Sequence, residues 1–165
     1  MSKTVILNHA DIANKIKRIA YQIYEVNANE KEVVIAGIDK NGYILAERIA
    51  FVLGQISDLK TNLCRVKINK KSVLSPITTS ISQESYTNKS IVVIDDVLNG
   101  GTTLMYVVRH FLAVPLKQCK TVVMVDRNHK KYPIKVDFKG VSLSTSLQNH
   151  VELVFSDKGD EAYLI

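Results

Sequence analysis

The stretch SIVVIDDVLNGGTTLMYVV, residues 90–108, constrains the fold more than any other part of this chain. Four apolar residues, all of them β-branched, run without polar interruption into Asp95 and Asp96, as in a strand buried on both faces. Asn99, Gly100 and Gly101 then let the backbone turn sharply. From Thr102 the pattern becomes helical, and Pro115 stands where that helix should have stopped. The same order recurs along the chain. EVVIAGIDKNG predicts a strand over Val33–Ile38 and a turn at Asn41–Gly42, followed by a helix through YILAERIAFVLGQI with Gly54 near its end. LCRVKIN and KTVVMVDR read as strands, and FKGVSLS, VELVFS and AYLI as shorter ones. Near the start, Ile12, Ile16, Ile19, Ala20 and Ile23 share one helical face, with Asn8 as N-cap and Asp11 three residues on. The polar, Ser- and Thr-rich stretch Lys70–Lys89, which contains Pro76, reads as a short strand or hairpin between mobile connections. Strands alternating with helices predict an α/β fold with a central, mainly parallel sheet flanked by helices. No repeat or linker divides it, so residues 1–165 are expected to form one domain.

In such sheets ligands gather at the carboxyl ends of the strands. That rule selects Asp39–Gly42, Asp95–Thr103 and Asp126–Lys131. A loop opening into a helix presents unpaired N–H groups, here joined by the Thr102 and Thr103 hydroxyls, and together they make a phosphate cradle. Asp95 and Asp96 suit hydroxyl groups or a cation a few ångströms away. A phosphate with a vicinal diol beyond it describes a ribose 5-phosphate. The spacing fits equally an acidic strand end followed by a plain helix-capping loop. Neither G-x-x-x-x-G-K-[ST] nor G-x-G-x-x-G is present.

An apolar strand, an acidic pair and a T-G-x-T-like loop resemble the signature of type I phosphoribosyltransferases. More narrowly, the chain resembles the bifunctional pyrimidine-operon attenuation regulators that are also uracil phosphoribosyltransferases. TVILNHADIANKIKRIAYQIYEVN is similar to that family's opening strand and helix. VVIAGIDKNGYILAERIA is similar to its pyrophosphate loop and next helix, and VVMVDRNHKKYPIKVDFKG to its V-D-R-G-H-R-E-L-P-I-R-A-D segment. The likeness is weakest from Arg65 to Asn88. It implies the type I phosphoribosyltransferase fold with a small hood, which is expected at about residues 65–89.

The resemblance also implies roles. Asp95 and Asp96 would contact the ribose hydroxyls of phosphoribosyl pyrophosphate, and Val97, Leu98, Asn99, Gly100, Gly101, Thr102 and Thr103 would form the 5-phosphate loop. Asp39, Lys40, Asn41 and Gly42 would face the pyrophosphate, and Asp126 and Arg127 would lie near the base and pyrophosphate. Asp95, Asp96, Lys40 and Arg127 form the expected catalytic set. Mg²⁺ is expected to arrive with the substrate rather than in a protein cage. The family's RNA contacts map onto Lys17, Arg18, His129, Lys130 and Lys135, and a homodimer or higher homo-oligomer is implied. This chain departs from the pattern in places. Gly100 replaces a threonine, and Lys40-Asn41-Gly42 replaces threonine-arginine-glycine, so a bidentate arginine gives way to a point-charge lysine. Lys67-Ile68-Asn69-Lys70-Lys71 replaces a partly acidic hood segment. Val141, Ser142 and Leu147 stand at polar or basic family positions.

Two functions follow. One is transfer of ribose 5-phosphate to a nucleobase, with uracil as the expected base. The other is binding of a nucleotide or phosphoribosyl pyrophosphate, and of RNA, by a regulator without useful turnover. An unrelated α/β binding protein is a third. A net charge of +6 favours anionic partners in all three. No apolar stretch approaches the about 20 residues of a membrane-spanning helix. The N-terminus lacks a signal-peptide core, so a cytoplasmic location and no membrane partner are expected. Cys64 and Cys119 are expected to be buried structural thiols.

Overall fold

The computed structural model describes residues 3–146 and 148–165, which leaves the Leu147 position outside the described residues. The chain runs β1 (Thr4–Leu7), α1 (His9–Val26), β2 (Glu32–Ile38), α2 (Asn41–Ile56), β3 (Lys60–Lys67), β4 (Thr78–Thr79), α3 (Gln83–Tyr86) and β5 (Ser90–Leu98). It continues α4 (Thr102–Phe111), β6 (Gln118–Asp126), β7 (Phe138–Ser142), β8 (Val151–Val154) and β9 (Glu161–Leu164). Six strands form the main sheet in the order β4-β3-β2-β5-β6-β7. All its pairings are parallel except that of β4 with β3. This is the mainly parallel sheet that the alternating pattern predicts.

The sheet is covered on both faces, which is why its central strands carry long apolar runs. Alternate residues of β5 serve different layers. Val92 and Ile94 join Ile12, Ile19, Ile23, Leu45, Ile49 and Leu53 on the α1/α2 side. Ile91 and Val93 join Tyr86, Leu104, Val107 and Phe111 on the α4 side. Tyr86 and Phe111 meet edge to face with ring centroids 4.9 Å apart. α1 begins with a complete capping box: the Asp11 N–H donates to Asn8 Oδ1 and the Asn8 N–H to Asp11 Oδ2, both at 2.9 Å. Cys64 is fully buried and Cys119 partly so; both are free thiols.

Three features differ from the sequence reading. Asn41 and Gly42 form the first turn of α2 rather than a separate turn. Asn-Gly is a strong local turn signal, but here Gly42 meets a tertiary demand. A Cβ at Gly42 would lie 2.7 Å from the Ile94 carbonyl oxygen and 2.9 Å from Asp95 Cα, so only glycine lets the head of α2 rest on β5. Second, the four residues of α3 form a single helical turn in a stretch expected to hold only a strand or hairpin. Third, the chain carries a small second sheet that the sequence pattern did not foresee. It has the order β1-β9-β8, all antiparallel, and so joins the two ends of the chain. Each of these strands has only four residues. They are held by one another and by Leu7, Leu153 and Ala162, which enter the α1/α2 core. Residues 65–89 finish β3, add β4 to its edge and reach the other core through Tyr86. Among the described residues no helix is long and apolar enough to cross a membrane.

Phe111 is the largest fully buried side chain on the α4 side. Phe111→Ala should reduce unfolding free energy by about 3–5 kcal/mol in urea titrations, through lost burial and the remaining cavity.

Candidate functional site

β2, β5 and β6 are neighbours in the sheet, so their carboxyl ends bring Asp39–Gly42, Asp95–Thr103 and Asp126–Lys131 to one rim. Two helices start at this rim, and both start bare. α2 has Lys40 and α4 has Gly101 at the N-cap, and neither receives a side-chain cap. The capping box of α1 shows that the chain caps a helix elsewhere. The first N–H groups of a helix have no partner within it and carry the positive end of the helix dipole, so two bare starts favour an anion. Gly101 has φ +89, and a Cβ there would meet Ile134 Cγ2 at 2.7 Å. Glycine is therefore required twice over at the loop's last residue before α4. The Gly100 carbonyl accepts from the Lys131 and Tyr132 N–H groups at 2.7 and 3.2 Å, which seats the loop on the segment after β6.

Asp95 and Asp96 point to different sides of β5. The strand pleat sends neighbours to opposite sides. Asp95 lines a cavity of about 220 Å³ together with Lys70, Val97, Leu98 and the loop from Asn99 through Thr103. Asp96 turns toward α2, where Asn41 Nδ2 donates to its Oδ2 at 3.1 Å. Asn41 Nδ2 also donates to the Leu153 carbonyl at 2.8 Å, so one amide joins Asp96, α2 and β8. The Asp96 and Val97 N–H groups donate to Asp95 Oδ1 and Asp96 Oδ1 at 2.9 and 2.8 Å. Asp95 is only 5% exposed. Burial first, and then the adjacent Asp96 charge, push its carboxyl up to about 8, while Lys70 pulls it down. The Lys70 ammonium lies 3.9 Å from Asp95 Oδ1.

At the β6 end, Arg127 is spent on the protein itself. Its Nη1 donates to Asn99 Oδ1 at 2.7 Å and its Nε to Thr145 Oγ1 at 3.2 Å. Nη2 donates to the Ser146 and Asn149 carbonyls. A guanidinium with this set of acceptors, 6% exposed, ties the Asn99–Thr103 loop to the segment around Thr145 and Asn149. Asp126 is fully buried and holds Lys139 at 3.1 Å and Lys130 at 3.9 Å. His129 Nε2 contacts the Thr145 carbonyl and hydroxyl. Lys40 is exposed at the head of α2.

The RNA set is not gathered into one free basic face. Arg18 donates to the Lys139 and Gly140 carbonyls at 2.8 and 2.9 Å. Lys130 is turned to Asp126, and Lys135 pairs with Asp137 at 3.5 Å. Lys17 is exposed on α1. An apolar groove of about 840 Å³ runs along the outer side of α4 between Leu74 and Tyr132, away from the two carboxylates.

Three contributors went unmarked in the sequence. Lys70 sat in a stretch assigned to the hood, and its reach to Asp95 is a tertiary fact. Arg65, on β3, approaches Asp39 Oδ1 at 3.7 Å and stacks on the Tyr43 ring with its Cζ 4.2 Å from the centroid, which places a cation beside the loop that lost its arginine. The Asn41–Leu153 bond links the rim to the small sheet. Among the described residues no three His, Cys, Asp or Glu side chains gather to hold a metal ion. Asp95 and Asp96 diverge, so a divalent cation held here would need further oxygen ligands from outside the protein.

Comparison with known proteins accords with this geometry. A family model described as "Phosphoribosyl transferase domain" matches residues 2–156. The "Bifunctional protein PyrR" of Streptococcus thermophilus is 29% identical over 160 residues, covering 95% of this chain and 92% of that protein. Its namesake from Staphylococcus saprophyticus is 30% identical over 170 residues, covering 98% and 96%. Among solved structures, the hypoxanthine phosphoribosyltransferase of Trypanosoma cruzi superposes with a TM-score of 0.79 at 14% identity, covering 97% of this chain and 95% of that one. A hypoxanthine-guanine phosphoribosyltransferase from Bacillus anthracis gives a TM-score of 0.72 at 16% identity, covering 88% and 86%. These likenesses to solved structures establish the type I phosphoribosyltransferase fold.

A carboxyl raised in the folded state binds a proton that the unfolded chain has released, so Asp95 lowers stability as pH rises from about 4 to about 8. Asp95→Asn should remove that slope. In urea titrations the variant should match wild type near pH 4 and exceed it at pH 9.

Proposed function

This chain belongs to the phosphoribosyl transferase domain family, and from that premise we propose that it transfers ribose 5-phosphate from phosphoribosyl pyrophosphate to uracil. The observation that carries the reading is the buried Asp95 carboxyl sharing one cavity with the bare start of α4. The loop N–H groups and the Thr102 and Thr103 hydroxyls take the 5-phosphate, while Asp95 and Asp96 accept hydrogen bonds from the ribose hydroxyls. The bare head of α2, with Lys40, faces the pyrophosphate. In the transfer, the bond from C1 of the ribose to the pyrophosphate oxygen breaks and its electron pair leaves with the pyrophosphate. A bond from N1 of uracil to C1 forms, and the N1 proton passes to water. Stabilising the departing charge is the main task, and fixed dipoles and cations perform it. A Mg²⁺ arriving with the substrate would supply further charge neutralisation. Uracil as the base rests on the relatives named PyrR and on the segment around Asp126 and Arg127. A cytoplasmic, homo-oligomeric protein fits this reading.

A second reading has its own observation. Asn41 occupies the position of the family's pyrophosphate-loop arginine, and its amide is committed to Asp96 and Leu153. A protein built this way binds phosphoribosyl pyrophosphate or a nucleotide as a signal and turns it over poorly. RNA binding has weaker support, because Arg18, Lys130 and Lys135 are engaged within the chain.

Purified protein with uracil, phosphoribosyl pyrophosphate and Mg²⁺ should yield uridine monophosphate and pyrophosphate. Ligand binding without product would favour the sensor. The double variant Asp95→Asn/Asp96→Asn should remain folded and lose at least about tenfold in ligand affinity, about 1.4 kcal/mol. Unchanged affinity would remove both residues from the site.

A further inference from the structure

We infer that Lys70 is a phosphate-binding residue that alternates between Asp95 in the empty site and the phosphate of the ligand in the filled one. The inference rests on the reading that the Asn99–Thr103 loop holds a phosphate, and it adds a residue from a different part of the chain. Three observations carry it. Lys70 and the loop line the same cavity, so the ammonium and a cradled phosphate share one small space. The side chains of the pair are exposed very differently, 50% for Lys70 and 7% for Asp95, so the cation is the partner able to move. Finally, the segment that carries Lys70 is tied only to itself. The Ser72 and Ser75 N–H groups donate to the Asn69 and Ser72 carbonyls, and the Lys71 N–H to Asn69 Oδ1. Among the described residues, no hydrogen bond joins Asn69–Ser75 to another element. Among the described residues its one ionic contact is the pair with Asp95.

The charges around Asp95 make the exchange directional. Asp96 adjoins it on β5, Lys40 stands at the head of α2, and Lys131 lies beside Gly100. The first turn of α4 contributes no ionised side chain, because Thr102 and Thr103 are neutral. In the empty site Lys70 is the cation that offsets the buried carboxyl. A phosphate dianion in the loop offers the ammonium a stronger partner within the same cavity, and transfer of the lysine leaves the Asp95 oxygens free to accept from the ribose hydroxyls. The lysine thus favours ligands that carry a 5-phosphate over nucleosides that lack one.

Calorimetric titration with ribose 5-phosphate at pH 9, where Asp95 is ionised, tests the exchange. Lys70→Ala should weaken binding about tenfold and reduce its dependence on salt. Lys70→Arg should restore most of the affinity. Inorganic phosphate separates exchange from simple attraction. Asp95→Asn frees the lysine and should tighten phosphate binding, and that gain should shrink in the Asp95→Asn/Lys70→Ala double variant. Wild-type binding that Lys70→Ala leaves unchanged would overturn the role of Lys70 alone, as would an equal gain in both backgrounds. Failure of wild type to bind ribose 5-phosphate would overturn the phosphate-loop reading and the exchange with it.

Discussion

The head of α2 lies so close to the end of β5 that a single methyl group at Gly42 would collide with backbone on the other side. Backbone cannot step aside as a flexible side chain can, so this contact fixes where α2 begins. The start of α2 is thereby brought to the same rim as the start of α4, which Gly101 sets by its left-handed conformation. Two sets of unpaired N–H groups converge there, with a carboxyl buried at the end of the strand between them. Sheet order, the two glycines and the omission of side-chain caps together bring two bare helix starts and a buried carboxyl to one rim.

That arrangement is poor for stability alone. A buried carboxyl pushed up to about 8 beside another acid is a repulsive feature. A structural strand end would carry apolar residues, as β5 does at Ile91 to Ile94. Elsewhere the chain satisfies its polar groups well. Asn8 and Asp11 cap α1, and Asn27, Ser90 and Gln118 form a hydrogen-bonded group at the opposite end of the sheet. A repulsive buried acid beside bare helix starts is the kind of departure from local rules expected of a functional site.

The strands and helices of the main sheet were legible in the sequence because apolar runs and helical periods are local patterns. The rim was legible too, since parallel sheets place their loops predictably. The sequence could not say how side chains are shared. Asp95 and Asp96 read as a pair, yet the pleat separates them. Arg127 read as a catalytic cation, yet four acceptors from distant segments occupy it. A hood was expected at about 65–89 from the family resemblance, and no second sheet was foreseen. That sheet arises from short strands at both chain ends, whose pairing no local pattern encodes.

Amide chemical shifts on addition of ribose 5-phosphate test the convergence of the two helix starts most directly. The account predicts the largest changes at Gly100, Gly101, Thr102 and Thr103, with a second group at Asn41 and Gly42 once phosphoribosyl pyrophosphate replaces it. Changes centred on the apolar groove beside Leu74 and Tyr132, or none at the Gly100–Thr103 amides, would contradict it.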